Sequence, residues 1–270
     1  MLQNEANEFA KYTLANADNL FEALMASVQF EELGKGRQGT VLVKPNELRG
    51  NPIVRTTSKY VSAANAFRPI HLKLAKQIEE VASLKSGFNN ALIENYTNAY
   101  FKMGAHSDLA LDLEDDSLIA LFSCYETPDL DAPLRRLVVE PKSTEEVTGG
   151  NQLEPVEIAL EHNSVVVFSV AANRRFKHKI VLDKSANPPE NKWLGITFRT
   201  SKTFVRIGDG KAYFEDGSQL TLASEDQRSE FFSLRGQENR ETNFFYPEIA
   251  YTISESDLLP LQNVSEDTSC

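Results

Sequence analysis

The sequence predicts a mainly β protein of the α+β class, in which an antiparallel sandwich or jelly roll follows helices at the N-terminal end. Three observations indicate this fold. From Leu92 onward, apolar and β-branched runs of four to ten residues recur at short intervals. Asp209-Gly210 and Asp216-Gly217 are dipeptides typical of tight hairpin turns. Before residue 90, two segments instead repeat apolar residues about every 3.6 positions, as amphipathic helices do.

The N-terminal part contains two predicted helices and two predicted strands. Residues 6–25 have partial helical spacing and are predicted to form a helix in two pieces. Residues 40–43 and 53–57 are predicted strands, joined by a segment rich in Asn and Pro. Residues 70–84 return to a helical pattern. We expect these elements to pack on the β domain as an extension.

The C-terminal part is predicted to supply the strands of the sandwich. Their length and spacing indicate an antiparallel sandwich or jelly roll. The predicted strands are 92–101, 118–125, 136–139, 156–160, 164–170, 178–182, 194–199 and 203–207. We therefore expect an extension at 1–90, one jelly-roll core at 91–260, and a flexible acidic tail at 261–270.

Composition excludes several classes of protein. No apolar run approaches the length of a transmembrane helix, and the N-terminus has no basic region followed by an apolar core, so no secretory signal is predicted. The two cysteines, Cys124 and Cys270, have neither disulfide-framework nor zinc-site spacing. We expect a soluble protein without membrane contact, cytoplasmic or, in a eukaryote, nuclear or cytosolic. The sequence does not indicate an oligomeric state.

Charge is distributed unevenly along the chain. The net charge of −11 argues against a surface that binds polyanions throughout. Nine basic residues nevertheless fall between Lys35 and Lys76 against the single acid Glu47, whereas acids dominate from Asp108 to Glu161. The basic segment is either a solvated face or a local anion-binding surface that could meet a nucleic acid.

The tripeptide His106-Ser-Asp108 carries the first chemical signal. In an extended backbone both outer side chains point to one face, because strand side chains alternate. An imidazole beside a carboxylate is two-thirds of the facial triad that binds non-haem Fe(II). Such a tripeptide alone is weak evidence, so the prediction depends on a third ligand and a co-substrate anchor downstream.

Three histidines are candidates for the third ligand. His71 lies in a predicted helix and is expected to be a surface or helix-packing residue. His162 precedes Asn163 in what reads as a turn between two strands. His178 opens the apolar run Ile180-Val-Leu182, and it is the predicted ligand.

An arginine then ends a predicted strand at Arg199. A guanidinium can hold a carboxylate through two parallel hydrogen bonds, which lysine does not reproduce. A buried arginine in an apolar strand would be costly without such a partner. Arg199 is therefore either a carboxylate anchor or an arginine paired with an acid of the chain.

These motifs, in this order, resemble the Fe(II)/2-oxoglutarate dioxygenase superfamily, and most closely its AlkB-like branch, which includes FTO-type demethylases. The resemblance spans about residues 92–205. It includes Asn98-Ala-Tyr100 before His106-x-Asp108, the segment from Arg175 to Ile180 around His178, and Ile196-Thr-Phe-Arg199. One position departs from that branch: a second arginine is expected six residues before Arg199, where this chain has Trp193 beside Lys192.

The resemblance implies a double-stranded β-helix, the jelly roll of that superfamily, and a set of roles. His106, Asp108 and His178 would bind Fe(II). Arg199 would fix the distal carboxylate of 2-oxoglutarate, and Ser201, Asn98 and Tyr100 would help to hold this co-substrate. Dioxygen would be consumed, and ascorbate could serve as reductant. Oxidative decarboxylation to succinate and CO2 would accompany hydroxylation of a C–H bond or removal of an N-methyl group.

The sequence leaves the substrate open. A small molecule or protein side chain is slightly favoured by the net charge, and a methylated nucleobase, free or in a nucleic acid, is the second class of substrate. A binding protein without turnover and a metal-dependent cupin isomerase or hydrolase are also compatible with these motifs. The residues proposed for substrate contact are Arg55, Thr56, Tyr60, Tyr125 and Arg175.

Overall fold

A computed structural model describes residues 8–15, 18–84, 87–131, 134–142, 154–183 and 189–262. The predicted tail from residue 263, with Cys270, lies outside these residues. The strands, numbered in chain order, are β1 Phe9–Thr13, β2 Glu31–Gly34, β3 Arg37–Val43, β4 Asn51–Pro52, β5 Asn65–Ala66, β6 Asn90–Tyr96, β7 Leu118–Tyr125, β8 Arg136–Pro141, β9 Val156–Ala159, β10 Ser164–Ser169, β11 Phe176–Val181, β12 Trp193–Arg199, β13 Phe204–Gly208, β14 Lys211–Phe214, β15 Gln219–Leu222 and β16 Tyr251–Thr252.

The helices are α1 Phe21–Met25, α2 Pro69–Val81, α3 Val170–Arg175 and α4 Glu225–Glu238, followed by a 3₁₀ turn at Glu255–Leu258. None of the helices in the described part of the chain is both long enough and apolar enough to cross a membrane. The helix predicted at 70–84 is confirmed as α2. Its His71 is buried, and the imidazole bonds Ser27 Oγ at 2.8 Å, which agrees with the expected packing role.

Two facing antiparallel sheets form the jelly roll. The larger has the strand order β10-β7-β12-β6, extended by β1 at one edge and by β3 and β2 at the other. The smaller has the order β11-β8-β9, and residues 102–106 add to β11 through bridges at Lys102–Val181 and His106–His178. From β6 to β12 the chain passes repeatedly from one sheet to the other. This connectivity confirms the predicted double-stranded β-helix.

Alternation of side chains along the strands produces two cores. The inward faces of both sheets bury a cluster that includes Tyr96, Leu121, Leu137, Ile180 and Trp193. The outer face of the larger sheet buries a second cluster with α1 and α2, whose members include Phe21, Leu42, Leu74, Ile78, Phe122 and Phe198. Burial on both faces explains why β7, β10 and β12 read as continuous apolar runs. The predicted packing of N-terminal helices on the roll is confirmed.

Part of the N-terminal prediction is wrong. The first half of the helix predicted at 6–25 is strand β1, and only Phe21–Met25 is helical. Residues 9–13 pair antiparallel with β10, with Phe9 opposite Phe168. Pairing with an open sheet edge therefore outweighed a weak helical spacing, which is a common effect of tertiary context. Residues 53–57 were expected to be a strand, but only the preceding pair Asn51–Pro52 joins a sheet, as β4.

A third sheet consists of β4 and four strands that come after β12 in the chain, with the order β16-β15-β14-β13-β4. Both predicted hairpin turns lie in it. Asp209 and Gly210 have φ angles of 50° and 71° between β13 and β14, and Gly217, between β14 and β15, has a φ of 87°. Helix α4 lies between β15 and β16 of this sheet in the chain and was not predicted, because its few apolar residues do not form a continuous stripe.

Trp193 closes the interior of the roll between the two sheets. Its indole is fully buried, and Nε1 donates to Ser123 Oγ at 2.6 Å. The ring lies over Gly195, where an added Cβ would come within 2.5 Å of the indole. Gly195 is therefore the residue that lets the largest side chain of the core lie flat on its own strand.

We expect Gly195→Ala to lower the free energy of unfolding by about 1–3 kcal/mol, because the indole must move inside a close-packed core. Urea unfolding followed by the fluorescence of Trp193, the single tryptophan, measures this change. Gly208→Ala is the control, since nothing lies within 4 Å of its added Cβ. Equal midpoints for the two variants would contradict this account of the packing.

Candidate metal centre

His106 and His178 face each other across the smaller sheet. The backbone N–H of His106 donates to the carbonyl of His178 at 2.9 Å, and the reverse bond measures 2.6 Å. The two imidazole centroids are 4.8 Å apart. Because the two residues are direct cross-strand partners, their side chains point to the same side of the sheet. His162 lies in a turn as expected, where its Nδ1 accepts from the N–H of Tyr125.

Asp108 completes a compact group of three ligands. One ligand atom from each of His106, Asp108 and His178 lies within 4.8 Å of the others. Asp108 Oδ1 is 3.6 Å from Nε2 of His178. His106 Nδ1 lies 2.8 Å from the carbonyl oxygen of Gly104, so this nitrogen carries the proton and Nε2 keeps its lone pair. The triad predicted from the sequence is therefore assembled with donor atoms suited to a divalent transition metal.

The protonation states of His106 and Asp108 also suit metal binding. Desolvation, followed by the neighbouring His178 ring, lowers the pKa of His106 to about 4, so the imidazole is neutral at pH 7. Burial alone would raise the pKa of Asp108, but the charge of Arg199 and the contact with His178 hold it well below its usual range. A neutral imidazole and an ionised carboxylate are the forms that bind metal.

Arg199 contacts the metal-ligand carboxylate directly. Its Nε and Nη2 donate to Asp108 Oδ2 at 2.9 and 2.7 Å, and both side chains are 7% exposed. The remaining nitrogen, Nη1, is buried and has no hydrogen-bond partner among the described residues. A buried guanidinium nitrogen without an acceptor is costly, so this position favours an anion from outside the chain.

A cavity of about 360 Å³ opens beside the triad. Its volume is at the lower end of the range for small-molecule sites. The triad and Arg199 line one part of it, and Leu121, Leu137, Phe168 and Ile180 form an apolar middle. Other lining residues are Arg37, Val54, Arg55, Thr56, Thr57, Ser58, Leu92, Glu94, Tyr100, Thr197 and Arg235, together with 103–109.

Two elements outside the triad hold the loop that carries Asp108. Asn173 of α3 accepts from the backbone N–H of Asp108 at 2.6 Å and donates to its carbonyl at 2.7 Å. From the C-terminal end of α4, Asn239 accepts from the N–H of Ser107 at 3.0 Å. Glu238 accepts from the N–H of Ala110 at 2.8 Å, and Arg235 donates to the carbonyl of Ser107. The loop is thus fixed at three places.

We expect Asn173→Ala to weaken binding of a divalent metal by about 10- to 100-fold, because outer residues orient the ligands. The free energy of unfolding should also fall by about 1–3 kcal/mol, since two buried backbone groups lose their partner. Competition with a chelator measures the affinity for Mn(II), and urea unfolding measures stability.

Asn19→Ala is the matched control for that variant. Asn19 also donates to two backbone carbonyls, those of Tyr125 and Glu126, on a part of the chain away from the triad. This change should destabilise the protein and leave metal affinity unchanged. Equal loss of metal affinity in both variants would contradict a specific role for Asn173.

The remaining residues predicted for the co-substrate are dispersed. Tyr100 lines the cavity. Ser201 does not: its hydroxyl is buried and donates to the carbonyl of Ile53 at 2.5 Å, which ties two segments together. Asn98 lies on a loop and donates to the carbonyl of Pro189. Lys192, adjacent to Trp193, pairs with Glu126 at 2.7 Å and is not among the residues that line the cavity.

The residues proposed for substrate contact divide in the same way. Arg55 and Thr56 line the cavity, although the guanidinium of Arg55 is bound to Asp112. Tyr60 and Tyr125 are buried outside it, where their hydroxyls bond Glu94 and the carbonyl of Leu160. Arg175 is half exposed and pairs with Glu8 at the surface.

Sequence reasoning missed the ion pair of Arg37 and Glu94 in the cavity wall, and the residues that hold the Asp108 loop. One signal could have indicated the pair. Glu94 is an acid within the apolar run Ala91–Tyr96, and a buried carboxylate requires a cation or several donors. For Asn173, Glu238 and Asn239 no pattern in the sequence indicates the contact, because their partners are backbone atoms distant in the chain.

No family model and no curated protein matches this chain. Solved structures that resemble it include that of OsALKBH1, with 13% identity, 72% of this chain and 96% of that chain covered, and a TM-score of 0.43. An oxidoreductase of the 2OG-Fe(II) oxygenase family from Burkholderia pseudomallei has 14% identity, coverage of 74% and 90%, and a TM-score of 0.43. A prolyl-4-hydroxylase from Pseudomonas putida has 12% identity, coverage of 74% and 96%, and a TM-score of 0.41. With TM-scores no higher than 0.43, these likenesses carry no argument about the reaction, which is drawn from the site itself.

Proposed function

We propose that this protein is an Fe(II)- and 2-oxoglutarate-dependent dioxygenase that hydroxylates, or oxidatively N-demethylates, an organic substrate and releases succinate and CO2. One observation carries the proposal. Two imidazoles and a carboxylate lie at one cavity, next to a buried guanidinium that retains an unsatisfied nitrogen. Two imidazoles and one carboxylate leave coordination positions open for a chelating 2-oxo acid and for dioxygen.

Each residue has a defined part in this proposal. His106, Asp108 and His178 would hold Fe(II), which when bound would couple oxidation of 2-oxoglutarate by dioxygen to oxidation of the substrate. Arg199 keeps Asp108 ionised and would donate Nη1 to a carboxylate of the co-substrate. The apolar middle of the cavity would exclude water from the reacting groups. Asn173 fixes the backbone of Asp108.

The substrate that we favour is a small molecule or a protein side chain. Within the basic segment 35–76, Arg37, Arg49, Arg55 and Lys76 are paired with acids of the chain, which leaves fewer cations for phosphates. The second candidate is a demethylase of nucleobases, as in the AlkB-like branch. Binding of oligonucleotides at increasing salt separates the two, because phosphate contacts weaken steeply with salt. Absence of salt-dependent binding is the result we expect.

The test of the reaction is succinate formation from 2-oxoglutarate by the purified protein with Fe(II) and ascorbate. Slow turnover without added substrate is expected in the wild type and not in His106→Ala, which loses a metal ligand. Calorimetry with Mn(II) in place of iron measures binding of 2-oxoglutarate independently of turnover. Binding of 2-oxoglutarate without turnover would favour a binding protein that has lost catalytic activity.

A second experiment tests whether 2-oxoglutarate is the co-substrate. It also tests the alternative of a metal-dependent cupin isomerase or hydrolase, which would not need 2-oxoglutarate. If the metal-loaded wild type does not bind 2-oxoglutarate, the proposed co-substrate is wrong. Arg199→Lys is the suitable variant, because it retains a cation beside Asp108 while removing the planar fork. We expect it to keep metal and to lose most of the affinity for 2-oxoglutarate.

A further inference from the structure

The cavity has a cationic residue at each end. Arg199 is at the metal end, because it donates to Oδ2 of Asp108 while Oδ1 of the same carboxylate faces His178. A group held by its Nη1 therefore lies close to whatever binds the metal. 2-Oxoglutarate carries two carboxylates separated by a carbon chain, and only one of them can chelate a metal together with the keto oxygen. The second carboxylate needs a partner deeper in the cavity.

Strand register indicates where that deeper end lies. Thr197 and Leu92 are cross-strand partners in the row of inward-facing side chains below Arg199. Gly195, Glu94 and Gly39 form the next row, and Trp193, Tyr96 and Arg37 form the last. The indole of Trp193 fills the interior over Gly195. The cavity therefore ends near Glu94, with the side chain of Arg37 reaching into it from the neighbouring strand β3.

Four arginines line the cavity, and each of them pairs with an acid of the chain, Arg37 with Glu94. Arg199 pairs with Asp108, Arg55 with Asp112, and Arg235 with Glu238. Arg55 also donates to two backbone carbonyls and Arg235 to one, so most N–H groups of these two guanidinia already have acceptors. Arg37 is different because a single carboxylate oxygen, Oε1 of Glu94, accepts from both its Nε and its Nη2.

Glu94 orients the guanidinium of Arg37 but does not accept from all of the N–H groups of that guanidinium. Besides Arg37, Glu94 accepts from the hydroxyls of Tyr60 and Tyr96, which distribute its charge. Nη2 of Arg37 also donates to Ser58 Oγ at 3.1 Å. Among the described residues no partner is present for Nη1 of Arg37 or for the hydroxyl of Tyr100, whose ring centre lies 5.9 Å from the guanidinium carbon.

We propose that Arg37, together with Tyr100, binds the distal carboxylate of the 2-oxo diacid, and that Arg199 meets the carboxylate at the metal. This inference rests on the proposed function. It assigns the distal contact to β3, which pairs with β6 at the edge of the larger sheet. The apolar residues between the two arginines then face the methylene groups of the ligand, and Glu94 acts as a positioning residue for Arg37.

The test compares 2-oxoglutarate with 2-oxovalerate, which has the same keto-acid end and chain length but no distal carboxylate. Calorimetry on the Mn(II)-loaded protein gives both dissociation constants, and their ratio reports the contact with the distal carboxylate. Arg37→Gln together with Glu94→Gln removes the arginine without leaving a buried charge. Glu94→Gln alone is the matched reference, because it differs only in retaining Arg37.

Glu94→Gln keeps a side-chain oxygen that can accept from Arg37, so this variant should still prefer 2-oxoglutarate to 2-oxovalerate and serves as the reference for the double variant. In the double variant the ratio should fall by about 10- to 100-fold, the range expected for a charge-assisted hydrogen bond. The affinity for 2-oxovalerate should not change. Arg49→Gln with Glu215→Gln makes the same change in an exposed pair outside the cavity and should leave both constants unaltered.

An unchanged ratio in the double variant would overturn the assignment of Arg37. An equal loss of affinity for both acids would also overturn it, because that result reports general damage. Tyr100→Phe removes one hydroxyl and keeps the ring, so it tests the same subsite if the double variant does not fold; its ratio should fall by several-fold. A metal-loaded wild type that binds neither acid would overturn the proposed function itself.

Discussion

Asp108→Ala is expected to abolish metal binding and to lower the free energy of unfolding by about 3–5 kcal/mol, the range for breaking a buried ion pair. The side chain is a candidate metal ligand and also the acid that neutralises Arg199, which is 6% exposed. Its removal leaves a guanidinium buried without a counter-ion. Urea unfolding in the absence of metal isolates the effect on stability, and Mn(II) titration measures the effect on binding.

Asp115→Ala is the control for this variant. Asp115 also pairs with an arginine, Arg174, at 2.6 Å, but its side chain is 59% exposed. An exposed pair contributes at most about 1 kcal/mol, so its loss should be small and metal affinity should not change. If metal-free Asp108→Ala unfolds at the same urea concentration as the wild type, Arg199 does not depend on Asp108.

Arg55→Ala is expected to destabilise the protein by about 3–5 kcal/mol, because it leaves the buried side chain of Asp112 without its ion-pair partner. Asp112 is completely buried and receives three hydrogen bonds from the guanidinium and one from the backbone N–H of Arg55. The same guanidinium donates to the carbonyls of Ile249 and Tyr251. Arg55 thus ties three separate segments together, and urea unfolding measures the loss.

The double variant Arg55→Met with Asp112→Leu distinguishes a structural role from substrate contact. Replacing both charges by apolar side chains should recover much of the lost stability, since no charge then remains unpaired. A variant of normal stability that still forms succinate would confirm that Arg55 supports the fold. Stability restored with turnover lost would favour the hypothesis that Arg55 contacts the substrate.

The roll and the triad could be predicted from sequence because each depends on local patterns. Strands β7, β10 and β12 are continuous apolar runs, and both faces of each are buried. His106 and Asp108 are two residues apart in the sequence, and His178 begins an apolar run. Predicting the triad required only the order in which the motifs occur along the chain and no information on contacts between distant segments.

The parts of the sequence-based prediction that were wrong depend on contacts between distant segments of the chain. Residues 9–13 became a strand because β10 offered a free edge, which no local pattern indicates. Ser201 matched a family motif, yet the structure turns its hydroxyl toward Ile53. Arg37 appeared in the sequence as one cation among nine, and only the register of β3 against β6 brings it to the cavity.

The contacts between α4 and the loop at 107–110 have a thermodynamic consequence. Arg235, Glu238 and Asn239 hold this loop in the arrangement that the metal requires. Metal binding and docking of α4 are thermodynamically linked. If docking of α4 increases the affinity for metal, metal binding must stabilise docked α4 by the same free energy. The C-terminal helix and the metal site therefore form one cooperative unit, and a chain shortened before residue 225 would keep all three ligands but bind metal weakly.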